Sequence, residues 1–190
     1  MPYRWAMADE ETTATPPVWV IVVAAGSGTR FGGPKQLAPL AGRRVVDWSI
    51  DAARSVADGV VLVVAAAEAD AIEPAVDAVV VGGATRSESV RAGLAAVPPD
   101  AEVVLVHDGA RPLASHALFR SVVDAVLAGA DAVVPAIAVV DTVTDLHGVP
   151  VDREALRAVQ TPQGFRGEAL RAVHAARPDA TDDASLVVAG

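Results

Sequence analysis

The sequence predicts an α/β fold: a doubly wound, mostly parallel sheet with helices on both faces. Three observations carry that expectation. Short runs of Val, Ile and Leu alternate along the chain with stretches of helical spacing. The composition is 52% hydrophobic but only 4% aromatic, so the core is Val, Ala, Leu and Ile, which suits strands buried on both faces. Three glycine-rich or charged segments, 26–35, 82–89 and 107–111, each follow directly on an apolar run. In open α/β sheets, ligands bind beyond the carboxyl ends of the strands.

The elements follow in order. Residues 19–24 are an apolar run ending at glycine, a buried strand, and 26–41 are loop. Val46, Ile50, Ala53 and Val56 have helical spacing over 47–57. Residues 59–64 are a second strand and 67–76 a short helix. Val79-Val80-Val81 ends at Gly82-Gly83 as a third strand and turn. A helix over 87–96 is closed by Pro98-Pro99, and 103–106 is a strand. Ser115 is placed to cap a helix running to Leu127 and stopped by Gly129. Residues 132–140 read as a further strand and 167–176 as a helix. Over 140–153, β-branched and polar residues alternate around His147-Gly148, the pattern of a hairpin arm projecting from the sheet. Such an arm is an oligomer contact or a long loop.

Length and composition narrow the function. A chain of 190 residues makes one domain with a full core. A net charge of −9 argues against general binding to nucleic acid or to anionic membrane. The absence of cysteine excludes a disulfide scaffold, an iron–sulfur cluster, a thiolate zinc site and a cysteine nucleophile. No apolar run reaches the length of a membrane span. The first 17 residues carry Asp9-Glu10-Glu11 and lack the apolar centre of a signal peptide, so 1–17 is expected as a disordered tail, 18–190 as the domain, and the compartment as cytoplasmic.

The chain has one lysine, Lys35, among 15 basic residues, and it lies in the glycine-rich loop Gly26-Ser27-Gly28-Thr29-Arg30-Phe31-Gly32-Gly33-Pro34-Lys35. Glycines let backbone N–H groups crowd an anion, and Arg30 and Lys35 add full charge, so the loop reads as a phosphate cradle. It is neither standard phosphate motif. Phe31 stands where the dinucleotide pattern needs glycine; Pro34 separates Gly33 from Lys35, and Gln36 stands where a P-loop has Ser or Thr. His107-Asp108-Gly109-Ala110-Arg111-Pro112 admits two readings. Asp108 at a strand end can hold Mg²⁺ against a phosphate chain, or it bonds turn amides while Arg111 pairs with it. His107 reads as packed structure rather than as a catalyst. Gly82-Gly83-Ala84-Thr85-Arg86 reads as a capped helix start, and Thr181-Asp182-Asp183-Ala184-Ser185 as an N-cap with an acidic first turn.

Taken in order, Ala24-Ala25-Gly26-Ser27-Gly28-Thr29-Arg30, Pro34-Lys35-Gln36, Arg86-Ser87-Glu88-Ser89-Val90, His107-Asp108-Gly109-Ala110-Arg111-Pro112, Asp141-Thr142, Thr161-Pro162-Gln163-Gly164-Phe165 and Thr181-Asp182-Asp183-Ala184-Ser185 closely resemble the 2-C-methyl-D-erythritol 4-phosphate cytidylyltransferase family, over residues 18 to 190. The resemblance implies a Rossmann-like nucleotidyltransferase that uses CTP, a sugar-alcohol phosphate and Mg²⁺ in non-mevalonate isoprenoid precursor synthesis. It implies that Arg30 and Lys35 act on the triphosphate as catalytic residues. Ala24, Ala25, Gly26, Gly28, Gly83, Ala84 and Ser89 line the nucleotide site, and Asp108 ligates the metal. Arg111, Thr142, Arg153 and Thr161 serve the sugar phosphate, with Thr142 and Arg153 reaching across a homodimer through the arm.

Two departures stand out. Gly109 replaces the usual alanine. Family members also continue past the last helix into a strand and helix that add a lysine and an acidic metal ligand, so the expectation is a C-terminally incomplete domain of lowered stability and turnover. Ribitol-5-phosphate cytidylyltransferase, which shares the loop, and a truncated inactive nucleotide-binding protein are the alternatives.

Overall fold

The computed structural model describes residues 16–70, 73, 75–176 and 182–189, apart from the side chains of Arg30, Val188 and Ala189. Of the tail expected at 1–17, residues 1–15 lie outside the described residues.

In chain order the strands are β1 (Val18–Val23), β2 (Pro39–Leu40), β3 (Arg43–Arg44), β4 (Gly59–Val64), β5 (Ala78–Val81), β6 (Val103–Asp108), β7 (Ala132–Val133), β8 (Ala136–Ala138), β9 (Arg157–Val159) and β10 (Gln163–Arg166). The helices are α1 (Val45–Arg54), α2 (Arg86–Ala96), α3 (His116–Leu127), α4 (Gly167–Ala175) and α5 (Asp183–Ala189). A six-stranded sheet runs in the order β5-β4-β1-β6-β10-β7. Strands β5, β4, β1 and β6 are parallel, and β10 is antiparallel to both its neighbours.

Period-two alternation splits the apolar residues between the faces. Val20, Val22, Leu62 and Leu105 pack with Ile50 of α1 and Phe119 of α3. Ile21, Val61, Val63, Val104 and Val106 pack with Val90 and Leu94 of α2 and Leu170 of α4. Each such side chain contributes about 2 kcal/mol by leaving water. The expected doubly wound, mostly parallel sheet is the one observed, and its rigid centre, β1 between β4 and β6, aims the ends of β1 and β6 at one edge.

Three readings change. Residues 132–140 are not one strand. Pro135 has no N–H to give a ladder, and the chain changes sheets there: β7 pairs with β10, whereas β8 pairs with β9 in a separate two-stranded ribbon. Strand β10 itself was read only as a motif. Its sequence, Gln-Gly-Phe-Arg, holds one large apolar side chain, and at Gly164 a Cβ would come within 2.4 Å of Val122 on α3, so glycine marks close packing rather than a turn. Of the helix expected over 67–76, the described residues hold a 3₁₀ turn at Ala66–Glu68; 71, 72 and 74 lie outside them.

The hairpin expected over 140–153 is present and extends further at its base. Ala136 pairs with Val159 and Ala138 with Arg157. At the tip, Val151 N–H donates to Val143 O at 2.8 Å and Asp145 N–H to Val149 O at 2.9 Å. The Asp145 carboxylate accepts from the N–H groups of His147 and Val149 at 2.8 and 2.9 Å, and Gly148 takes φ 80°. That is an Asx-type turn closed by glycine, as the pair His147-Gly148 suggested.

Candidate active site

The carboxyl ends of β1 and β6, the glycine-rich loop and the start of α2 enclose a cleft of about 1030 Å³. Ala24, Ala25, Gly26, Gly28, Lys35, Gly83, Ala84, Ser89, Asp108 and Arg111 all line it. Residues from three separated parts of the sequence, each directly after an apolar run, thus meet at the carboxyl ends of the strands.

The loop is held from inside. Gln36, 5% exposed, donates from Nε2 to Ala24 O at 2.7 Å and Gly26 O at 2.9 Å. Gly28 has φ 63°, and a Cβ there would lie 1.7 Å from Gly33 O, so no side chain fits. Both ends of the loop are therefore tied, and Lys35 rises from a 3₁₀ turn (Lys35–Leu37) into the cleft. The Arg30 backbone lies in the 3₁₀ turn Thr29–Phe31, whose Thr29 and Phe31 line the cleft; its side chain is outside the described residues.

Opposite the loop, α2 begins with a capping box. Glu88 N–H donates to Thr85 Oγ1 at 3.1 Å, and the Glu88 carboxylate accepts from Thr85 N–H at 3.1 Å and Ala84 N–H at 2.6 Å. Gly83 is needed for this, since a Cβ would sit 2.3 Å from Glu88 Cβ. Ser89, buried, donates from Oγ to Thr85 O at 3.0 Å.

Between these walls lies Asp108. Its Oδ2 accepts from Arg111 Nε at 3.0 Å, and its Oδ1 lies 3.5 Å from Arg86 Nε. Arg111 also donates from Nη1 to Gln160 Oε1. Of the second reading of the His-Asp turn, the pairing of Asp108 with Arg111 is observed, and Asp108 also lines the cleft. Thr161 is buried beneath it; Oγ1 accepts from Asp108 N–H at 3.2 Å and shares a 3.0 Å hydrogen bond with His107 Nδ1. His107 is fully buried, edge-on to Phe119 with ring centroids 4.9 Å apart. Burial pushes its pKa down to about 4, so it is a neutral structural imidazole at pH 7.

Thr142 and Arg153 do not join the cleft of their own chain. Both are exposed on the arm, and Arg153 donates from Nη1 to Val140 O at 2.6 Å.

Sequence reasoning gave no role in the site to Gln36, Arg86, Gln160 or Asp183, the last being read only as part of an acidic first turn. One signal was available: Arg86 is a cation in the first turn of a helix, where the dipole opposes it, so it needs carboxylate partners. Those partners are Asp108 and Asp183. Asp182 caps α5, its Oδ1 accepting from Ser185 N–H at 2.9 Å, while Thr181 lies outside the described residues.

Comparisons with known proteins identify the family. The family model for 2-C-methyl-D-erythritol 4-phosphate cytidylyltransferase matches residues 18–189. The enzyme of that name from Nocardia farcinica is 48% identical over 184 residues, covering 90% of this chain and 80% of the relative. The crystal structure of the Thermus thermophilus enzyme superposes with a TM-score of 0.74 at 37% identity, covering 92% of this chain and 84% of that one. The structure of 4-diphosphocytidyl-2C-methyl-D-erythritol synthase from Anaerococcus prevotii gives 0.77 at 30% identity, covering 90% and 82%. The chain therefore belongs to the 2-C-methyl-D-erythritol 4-phosphate cytidylyltransferase family.

Proposed function

We propose that this protein transfers a cytidylyl group from CTP to 2-C-methyl-D-erythritol 4-phosphate, in the non-mevalonate route to isoprenoid precursors. The observation that carries the reading is the single cleft lined by the tied glycine-rich loop, Lys35, Asp108 and Arg111, in a chain of this family.

The reaction needs little from acid–base groups. A phosphate oxygen of the sugar phosphate, already ionised near pH 7, attacks the α-phosphorus of CTP. The bond from that phosphorus to the bridging oxygen breaks, and its electron pair leaves on pyrophosphate. Positioning and charge stabilisation therefore dominate. Lys35 and Arg30 are assigned to the triphosphate charge, and Ala24, Ala25, Gly26, Gly28, Gly83, Ala84 and Ser89 to the nucleotide. Arg111 and Thr161 are assigned to the sugar phosphate side.

For a divalent cation the donor set is one carboxylate. Among the described residues no cluster of three or more His, Cys, Asp or Glu side chains is placed to hold a metal ion. One protein carboxylate, with phosphate oxygens and water completing the shell, is the mode that suits Mg²⁺. Asp108 would hold it, and the cation would neutralise charge on the triphosphate.

The arm is assigned to a second copy of the chain, with Thr142 and Arg153 serving the partner's cleft. Ile137, Val140, Leu146 and Val149 are all more than half exposed on it, a surface that asks for cover. No helix among the described residues is long and apolar enough to cross a membrane, and a cytoplasmic location is part of the proposal.

The test is pyrophosphate release from CTP with either sugar phosphate. Turnover with 2-C-methyl-D-erythritol 4-phosphate well above that with ribitol 5-phosphate is expected. The reverse preference, or none, overturns the assignment.

A further inference from the structure

Asp108 does not stand alone: it is the outer end of a chain of charges that runs inward through the protein. Arg86 lines the cleft and lies between two carboxylates. The sharing is unequal. Its Nη1 is 2.5 Å from Asp183 Oδ2, whereas its Nε is 3.5 Å from Asp108 Oδ1. Asp183 is fully buried and does not line the cleft. Its other oxygen is 3.0 Å from His174 Nε2, and its N–H donates to Gln163 Oε1 at 3.1 Å. Burial alone would raise the Asp183 pKa, but the His174 hydrogen bond and the Arg86 charge outweigh it and hold the carboxyl below its usual range. Asp183 is thus an ionised anchor bonded to α4 and β10, and it is the nearer of the two carboxylates to the guanidinium.

A cation bound to Asp108 has to compete with Arg86 for the same carboxylate. We propose that Asp183 is a tether: it holds Arg86 back from Asp108 and thereby sets how far that carboxylate is available to a divalent cation arriving with the nucleotide. Arg86 and Asp183 are positioning residues that act through Asp108. The proposal rests on the reading of Asp108 given above and adds residues which that reading does not use. It also explains why an arginine stands in the first turn of α2 against the helix dipole: its anchor is a buried carboxylate on another helix.

The tether makes two variants move in opposite directions, which a merely structural role does not. In Asp183→Asn the anchor charge is gone and Arg86 closes fully on Asp108. Mn²⁺ affinity in the presence of CTP, read from the free-ion electron paramagnetic resonance signal, should fall about tenfold, the lower end of what one nearby charge does to a carboxylate. In Arg86→Gln the competitor is gone and Mn²⁺ should bind several-fold tighter, by about the same Coulombic argument. The double variant should resemble Arg86→Gln. Arg86 sits at the cleft wall, so the Gln variant answers even where Asp183→Asn does not fold. Weaker Mn²⁺ binding in both single variants, or no change in Arg86→Gln, overturns the tether. Wild-type protein that binds Mn²⁺ with CTP yet turns over neither sugar phosphate overturns the substrate assignment and leaves this readout standing.

Discussion

The cleft and the arm are both made of loop and hairpin, but they are held in opposite ways. The cleft loop is fixed by buried partners: Gln36 bonds two of its carbonyls, Gly28 closes on Gly33, and Thr161 supports Asp108 from a site 6% exposed. The arm is fixed by contacts within itself: its backbone ladder, the Asx turn at Asp145 and the Arg153 to Val140 hydrogen bond. Leu146 at its tip is wholly exposed, and Val140 is 77% exposed. A preorganised cleft stabilises charge without reorganising when the reaction occurs. An apolar arm in water gains nothing until something covers it. The difference teaches that one chain holds a cleft tied from within and an arm whose apolar surface is left uncovered.

The largest effect should come from breaking the tied cleft at its charge. Lys35→Ala should lower turnover about a hundredfold or more, as removal of a preorganised donor does. Lys35→Arg should restore only part of it, because a planar fork is not a point charge. Near-normal turnover of folded Lys35→Ala would remove Lys35 from the mechanism.

Acid should then find the buried support of the cleft before it affects the arm. The His107 pKa, about 4 in the fold, lies below its ordinary 6.5, so the unfolded chain binds the proton first. Stability is full above pH 6.5 and is lost as pH falls from 6.5 toward 4, by about 3 kcal/mol at the lower end. His107→Gln should flatten that part of the stability–pH curve measured by urea unfolding. An unchanged slope would mean that other groups carry the acid sensitivity.

Deleting 144–149 sharpens the contrast from the other side. The cleft should keep its CTP affinity and its melting temperature, since residues 144–149 are all exposed. Sedimentation should show monomers, and turnover of the sugar phosphate should fall about tenfold through lost positioning. A fully active monomer would show the arm to be only a long loop.

Much of the cleft was legible because its signals are local. Glycines, a single lysine and an Asp-x-x-Arg turn announce themselves wherever an apolar run ends. The layers were legible for the same reason: the continuous apolar runs of β1, β4 and β6 and the spacing of Val46, Ile50 and Ala53 each lie within one element. What stayed hidden depends on distant partners. Gly164 looks like a break until α3 is seen packed on it. Asp183 looks like an ordinary acidic first turn until Arg86, 97 residues away in sequence, is found beside it. The strand read over 132–140 failed because Pro135 marks a change of sheet that periodicity alone cannot show.

The most direct test of the central claim, that the cleft of one chain is completed by the arm of another, is complementation between two impaired variants. Lys35→Ala has a damaged cleft and an intact arm; Arg153→Ala has an intact cleft and a damaged arm. Each alone should release pyrophosphate slowly. Mixed in equal amounts and allowed to exchange subunits, half of the dimers are mixed and each carries one whole site, so activity should recover to about a quarter of the wild-type value. A mixture no more active than the average of the two variants would contradict the claim and return Arg153 to the site of its own chain or to no site at all.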